Sequence, residues 1–154
     1  MNEELTREYL DLLRSVESLH RSFMEVIKIE IERKGFPSLN NVQAMLLFNI
    51  GDNDVAVGKL TNLGYYSGSN VSYNTSKLTE AGYLIYEPSL RDRRSARVKL
   101  SPQGEEVRKC VAELLDRHAE NLARAGIKSE QINYAVLVSK RLAQYLNNLL
   151  RMRF

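Results

Sequence analysis

The stretch from Gly68 to Pro102 constrains the fold of this chain more than any other part of the sequence. A helix with a polar face is predicted up to Ala81, and Gly82 supplies the left-handed residue that commonly ends a helix. Two alternating segments, Tyr83–Ser89 and Ala96–Leu100, are predicted to be strands that face each other across an arginine-rich tip. A helix followed directly by such a ribbon is the arrangement of a winged helix-turn-helix. In that motif the helix enters a DNA major groove and the ribbon lies along the backbone or minor groove.

The positive charge of the chain is concentrated in the same stretch. The formal net charge is +3 over 154 residues, and the segment from Pro88 to Leu100 contains five cations and one acid. A localised excess of this kind is typical of a surface that contacts a polyanion, although a solvated charged loop is the simpler alternative. Arg94 is expected to enter a narrow, A·T-rich minor groove, with Asp92 holding its guanidinium or pinning the turn. The other cations of the wing are predicted phosphate contacts: Arg91, Arg93, Arg97 and Lys99.

The helix before the wing has small polar side chains on its predicted outer face. Hydroxyl and amide groups cost helix propensity relative to Lys or Glu, and base edges and phosphates are partners that justify this cost. Val71, Thr75 and Leu78 form the predicted inner face. Asn70 and Asn74 are one turn apart, so both are expected to point outward, where an Asn amide can bridge N6 and N7 of adenine. The predicted contacts, each with an ordinary surface role as the alternative, are Ser69, Asn70, Ser72, Tyr73, Asn74, Ser76 and Lys77.

Helical spacing dominates the rest of the chain, and the predicted fold class is mainly α with a small β-wing. Ser101 and Pro102 have the residue types of an N-cap and a first helical position, which predicts a long helix from that point. The other predicted elements are a long helix over Glu4–Arg33, a helix between a Ser38 or Asn40 cap and Gly51, a short strand in residues 52–58, a two-turn helix over Gly58–Leu63, and a last helix after Ser129.

Several other classes of protein are excluded. No apolar run approaches the roughly 20 residues that cross a bilayer, and the acidic N-terminus MNEELTREYLD lacks the apolar core of a secretory signal, so a cytoplasmic protein is expected. The glycine loop, HExxH and GxSxG patterns of common enzymes do not occur. We therefore predict no catalytic residue, and no metal or cofactor at His20 or His118. Cys110 is expected to be a small buried hydrophobe; the alternative is a redox role, because Arg108 and Lys109 would lower the pKa of an exposed thiol.

The wing also carries a family resemblance. Asp92-Arg93-Arg94-Ser95, followed by Val98-Lys99-Leu100-Ser101 and Gly104, is similar to the DRRS…LT..G wing of the MarR family of transcriptional regulators. The order of predicted elements agrees with that family over nearly the full chain, and the sequence departs from it at Ser89, where an acid is common. The segments Tyr65–Asn74 and Val16–Arg21 resemble the LdtR-type alphaproteobacterial subgroup, which is associated with cell-wall L,D-transpeptidase control.

The resemblance implies a single MarR-like domain that regulates transcription, as a repressor or an activator, by binding a pseudo-palindromic operator as a two-fold homodimer. Residues 4–34 and 102–150 would be dimerisation helices, and residues 38–101 a winged helix-turn-helix with its wing at 83–100. The stripe Leu142–Leu150, with Met152 and Phe154, is expected to be buried between protomers, and the alternative is that the stripe belongs only to the core of one protomer.

A small aromatic effector is also implied, in a pocket between the dimerisation helices and the winged domain. Ordinary core packing is the alternative for each pocket residue: His20, Phe23, Met24, Gln43, Leu47, Tyr65 and His118. The alternative function is a helical dimer that does not bind DNA and whose basic hairpin meets an acidic protein partner. That function leaves the polar recognition helix unexplained.

Overall fold

Helices make up most of the part of the chain that the computed structural model describes, which is residues 2–52, 54–62, 68–92 and 95–152 without the side chains of residues 68 and 69. This confirms the predicted fold class, mainly α with a small β-wing. The elements in order are α1 (Glu3–Arg33), α2 (Asn41–Ile50), β1 (Val55–Ala56), a 3₁₀ segment (Val57–Asn62), α3 (Gly68–Glu80), β2 (Leu84–Glu87), β3 (Arg97–Leu100), α4 (Pro102–Arg124) and α5 (Ser129–Arg151). The chain divides into two compact units, Met1–Leu114 and Leu115–Phe154.

Side-chain caps determine where two of the helices begin. Asn40, rather than Ser38, caps α2: its Oδ1 accepts from the Gln43 backbone N–H at 2.8 Å, and Gln43 Oε1 accepts from the Asn40 N–H at 3.1 Å. Ser101 caps α4 as predicted, because its Oγ accepts from the Gly104 N–H at 3.1 Å. Each cap satisfies backbone donors that a helix start would otherwise leave unpaired.

The wing is part of a three-stranded antiparallel sheet in the order β1-β3-β2. Strand β3 lies in the centre, so the predicted ribbon gains a third strand from the segment before α3. The predicted first strand was too long, because only Val55 and Ala56 pair with β3. Val57 already begins the 3₁₀ segment, and its backbone N–H donates to the Ala96 carbonyl at 2.8 Å. The predicted two-turn helix is this 3₁₀ segment.

The core of the first unit is formed by apolar side chains from its helices, the 3₁₀ segment and the sheet. Such burial removes apolar surface from water and stabilises the unit by about 1.5–3 kcal/mol for each large side chain. The largest fully buried side chains are Ile27, Ile31, Leu46, Leu47, Ile50, Leu60, Leu78, Val98, Val107 and Val111.

The remaining lengths of the long helices expose apolar side chains in the single protomer. The buried residues of α1 are confined to its C-terminal part, at Ile27, Glu30 and Ile31, and α5 has no buried residue. Leu146, Leu149, Leu150 and Met152, from the stripe expected at a dimer interface, are exposed, and Phe154 lies outside the described residues. None of the described helices is apolar enough over a sufficient length to cross a membrane.

Candidate nucleic-acid interface

Helix α3 separates into a buried stripe and an exposed polar face. Val71, Thr75 and Leu78 are buried, which confirms the predicted inner face. The predicted outer residues that are exposed are Asn70, Ser72, Tyr73, Ser76 and Lys77. The side chain of Ser69 lies outside the described residues.

Asn74 does not belong to the exposed face, and the predicted outward orientation of this residue was wrong. Its side chain is only 6% exposed. Asn74 is three residues after Val71 and four before Leu78, so helical spacing places it in the buried stripe. Its Nδ2 donates to the Asn70 carbonyl at 2.9 Å, which turns the amide back onto its own helix. Oδ1 of Asn74 and Oγ1 of Thr75 are buried without a hydrogen-bond partner among the described residues.

The exposed face of α3 presents an aromatic ring and a cation in a fixed relation. Tyr73 is 61% exposed. The Lys77 ammonium lies 6.0 Å from the centre of the Tyr73 ring, and its Nζ is 3.2 Å from Glu80 Oε2. These contacts hold Tyr73 and Lys77 together on one exposed side of the helix.

Hydrogen bonds connect the end of α3 to the start of the wing and to the start of α4. Gly82, with a φ of 83°, lets the chain reverse, and the Tyr83 N–H donates to the Leu78 carbonyl at 2.9 Å. The Ser101 N–H donates to the Tyr83 carbonyl at 3.1 Å, and Ser101 Oγ donates to the Gly82 carbonyl at 2.6 Å. Gly104 packs so closely that a Cβ at this position would lie 2.2 Å from the Tyr83 carbonyl oxygen. Helix α3 and the wing therefore form one connected surface.

The tip of the wing is organised by local hydrogen bonds. The Arg91 N–H donates to Ser89 Oγ at 3.2 Å, and the Ser95 N–H donates to the Asp92 carbonyl at 3.0 Å. Asp92 thus closes the turn through its backbone. Arg93 and Arg94 lie outside the described residues, so the minor-groove role of Arg94 and its bond to Asp92 stay predictions.

The base of the wing carries two cations that are paired with acids. Arg97 Nε donates to Asp54 Oδ1 at 2.9 Å, and its Nη2 donates to the Asp54 backbone carbonyl. Lys99 Nζ is 3.5 Å from Glu87 Oε1 on the neighbouring strand. The sequence prediction missed both acids. Glu87 could have been found from the hairpin register, because it lies directly opposite Arg97, two residues before Lys99 on the central strand. Asp54 has no such local signal.

The residues of the predicted effector pocket have differing environments. His20 is exposed, Phe23, Met24 and His118 are half-buried, and Gln43 and Leu47 are buried. Gln43 uses its side-chain oxygen in the α2 cap. Tyr65 lies outside the described residues, and His118 belongs to the second unit. The pocket stays a prediction.

Cys110 is a half-buried thiol whose surroundings oppose ionisation. Burial raises the pKa of Cys110, and nearby Glu113, Glu30 and Glu106 raise it further against the opposing effect of Lys34. Arg108, which the alternative redox role invoked, is paired instead with acids: its guanidinium lies 2.5 Å from Glu105 and 3.3 Å from Asp52. Within the described ranges, no cluster of three or more His, Cys, Asp or Glu residues could hold a metal ion.

Known proteins are similar to the part of the chain that forms this surface. The family model of a winged helix DNA-binding domain matches residues 39–104, which span α2, α3 and the complete wing. The exopolysaccharide II synthesis transcriptional activator ExpG of Rhizobium meliloti (strain 1021) is 36% identical over 99 residues, which are 64% of this chain and 51% of that protein. The chain thus matches about half the length of this curated relative.

Solved structures of regulators share the fold over nearly the whole chain. Staphylococcus aureus MarR in complex with salicylate and kanamycin has a TM-score of 0.72 at 18% identity, covering 95% of both chains. Streptococcus pneumoniae FabT in complex with DNA has a TM-score of 0.71 at 18% identity, covering 92% of this chain and 99% of its own. Residues 39–104 therefore match a winged helix DNA-binding domain, and the chain has the fold of solved MarR-type transcriptional regulators, which confirms the resemblance identified in its wing.

Proposed function

We propose that this chain regulates transcription as a homodimer that binds a pseudo-palindromic operator, with α3 in the major groove and the wing on the backbone and minor groove. The observation that carries the proposal is the direct connection between the two contact elements. The exposed polar face of α3 ends at Glu80, and the wing begins at Leu84, with the intervening turn fixed by Gly82 and Ser101. Both elements can therefore contact one duplex without a flexible joint between them.

The residues on this surface divide into base contacts and phosphate contacts. Tyr73, with a ring that suits a thymine methyl, and Asn70, with an amide that suits adenine, are the proposed base contacts. Ser72, Ser76 and Lys77 are proposed to contact bases or the backbone. Asn74 is no longer included because it is buried. The wing contributes Arg91, Arg93, Arg94 and Lys99 as proposed backbone and minor-groove contacts.

A homodimer is supported by the exposed apolar side chains of the long helices. On α1, Leu13, Val16 and Leu19 are exposed, and α5 exposes Leu146, Leu149 and Leu150 among others. Large exposed apolar surfaces on one protomer commonly mark an interface with a second copy. Two recognition helices would also read two half-sites about one helical turn apart, which doubles the contact of a single helix.

An effector and a group of target genes extend the proposal. The name of ExpG concerns exopolysaccharide synthesis, and the resemblance in residues 65–74 concerns cell-wall control, so we propose genes of the cell envelope as targets and action in the cytoplasm. The structural neighbour MarR was solved with salicylate, which supports a small aromatic effector. Such a ligand would act only if its affinity differs between the DNA-competent arrangement and the alternative arrangement of the protein.

The decisive experiment is selection of bound DNA from a random pool with the purified full chain. We expect an A·T-rich inverted repeat with half-sites about one helical turn apart. If each protomer neutralises about three to four phosphates, the slope of log affinity against log salt should be about −5 to −7. No enriched sequence, or a slope shallower than about −2, would overturn the proposal and favour an acidic protein partner.

Two variants with a matched control separate the proposed contact classes. Arg91→Ala should weaken binding to all sequences and reduce the magnitude of the salt slope by about 1 per protomer. Tyr73→Ala should instead relax the base preference at one position in each half-site. Lys109→Ala removes an exposed cation from α4, outside α3 and the wing, and should change neither property. A uniform loss of affinity in both test variants would refute this division.

A further inference from the structure

Arg97 is held by Asp54 across the sheet in a two-point contact. Its Nε and Nη2 groups donate to the carboxylate Oδ1 and to the main-chain carbonyl of the same residue. The two side chains are 49% and 44% exposed, so the pair lies at the surface and not in the core. A planar guanidinium bound along one edge has a fixed orientation, which a lysine in the same place would lack.

The contact holds the shortest strand of the sheet, β1, in place. Strand β1 has only two residues, Val55 and Ala56, and it pairs with β3 at Val98 and Arg97. So short a pairing is marginal by itself. Asp54 immediately precedes β1, so the Arg97 contact fixes the end of the strand that its ladder bonds do not reach.

Strand β1 leads into the segment that packs on the recognition helix. The 3₁₀ segment follows β1 without a break, buries Leu60, and contacts α3. The other edge of β3 pairs with β2 of the wing, and in that register the backbone of Glu87 lies opposite the backbone of Arg97. A path therefore runs from the wing through Arg97, Asp54 and β1 to α3, in addition to the direct turn at Gly82.

The Arg97–Asp54 pair differs from the Lys99–Glu87 pair in the number and length of its contacts. Arg97 and Asp54 together are neutral, so little of the positive potential at phosphates comes from this arginine. The neighbouring Lys99 makes a single contact of 3.5 Å with Glu87, which a phosphate could replace at small cost.

We infer that Arg97 is a positioning residue, which sets the wing relative to the recognition helix through Asp54 and does not bind a DNA phosphate. The inference rests on the proposed function above, since it concerns the affinity for DNA. It reassigns a residue that the charge of the sequence alone places among the phosphate contacts.

The change in DNA affinity caused by Asp54→Asn has opposite signs in the two cases: Arg97 and Asp54 position the wing, or they contribute only their charges. Removal of an acid near bound DNA should tighten binding if only charge matters. If the pair positions the wing, the same change should weaken binding of the selected operator about fivefold, which is the size expected for loss of an exposed ion pair. Arg97→Gln should weaken binding by a similar factor without changing the salt slope. A phosphate contact would instead reduce the magnitude of that slope by about 0.9 per protomer.

Two further variants complete the experiment, with operator binding measured at several salt concentrations for the full chain. The double variant Asp54→Asn/Arg97→Gln should bind no more weakly than either single variant, because both remove the same contact. Arg97→Lys keeps the charge but not the two-point geometry, so it should behave like Arg97→Gln. Lys99→Gln is the matched control on the same strand, and it should reduce the slope.

The outcomes separate the inference from the proposed function. If the wild type selects no operator, the proposed function fails. If the wild type binds and Asp54→Asn binds equally or more tightly, the positioning role is refuted. A reduced slope in Arg97→Gln also refutes it. Thermal unfolding of each variant verifies that the chain folds, and if Asp54→Asn does not fold, Arg97→Lys decides: wild-type affinity in that variant overturns the inference.

Discussion

Replacing Gly104 with alanine should destabilise the chain, because backbone atoms occupy the space that the new methyl group needs. The Cβ would lie 2.2 Å from the Tyr83 carbonyl oxygen, 3.2 Å from its carbonyl carbon and 3.4 Å from Leu100 Cδ2. Ordinary C···O contacts are about 3.3 Å or longer, so α4 and the start of β2 must separate by about 1 Å. No side-chain rotation can relieve a contact with a backbone oxygen.

The expected loss follows from the contacts that such a movement disturbs. Overpacking by one methyl group costs about 1–3 kcal/mol. Separation also weakens the bonds from the Ser101 N–H to the Tyr83 carbonyl and from Ser101 Oγ to the Gly82 carbonyl, each worth about 0.5–1.5 kcal/mol. Alanine returns at most about 1 kcal/mol through its helix propensity. We therefore expect Gly104→Ala to lower the free energy of unfolding by about 2–3 kcal/mol.

Urea unfolding followed by circular dichroism measures this change. Wild type and variant must be compared at equal protomer concentration, because the stability of a dimer depends on concentration. Gln103→Ala is the control: it alters an exposed side chain in the same helical turn and should stay within about 0.5 kcal/mol of wild type. An unfolding free energy of Gly104→Ala equal to or above that of wild type would refute the packing argument.

Three further predictions concern individual side chains. Thr75→Val replaces a buried hydroxyl that has no partner among the described residues, so the free energy of unfolding should rise by up to about 1 kcal/mol; a clear loss in urea unfolding would contradict this. Because burial raises the pKa of Cys110, iodoacetamide at neutral pH should modify this thiol more slowly than glutathione, and an equal or faster rate would contradict the assignment. Hydrogen bonds from Arg108 lower the pKa of Glu105, so its contribution is present above the unfolded pKa of about 4.3 and is lost as pH falls through the lower folded value. Glu105→Gln should therefore be less stable than wild type by about 1 kcal/mol at pH 7, with the difference vanishing in acid; an undiminished difference at low pH would point to lost packing instead.

The sequence predicted those parts of the fold that depend on neighbouring residues. The helical stripes, the Ser101 cap and the Gly82 helix end are each encoded within a few positions, and for the α2 cap the sequence left a choice between Ser38 and Asn40. The two-residue strand β1 is different, because it exists only through pairing with β3, about forty positions later. The extent of this pairing, which stops at Ala56, is not visible in the residues around β1. The predicted strand was therefore too long.

The candidate site shows the same division. Exposure on α3 was predicted wherever spacing and polarity agreed, as at Tyr73 and Lys77. Asn74 was misplaced because its polarity was given more weight than its spacing from Val71 and Leu78. The charge of the wing was overcounted because Asp54, which pairs with Arg97, lies 43 positions away in the sequence. The predicted dimer interface and effector pocket depend on a second chain and a ligand, and both stay predictions.

The short turn between α3 and β2 has a consequence for how relatives of this chain can differ in length. Three residues, Ala81 to Tyr83, separate the helix from the strand, and backbone hydrogen bonds fix each of them. An insertion or deletion there would rotate α3 against the wing. The segment between β2 and β3, by contrast, can lengthen at its tip without moving either strand. Changes in loop length during evolution, or the insertion of a reporter peptide, should therefore leave the fold intact between Glu87 and Arg97, where they would alter only the proposed DNA contacts, and disrupt it between Glu80 and Leu84.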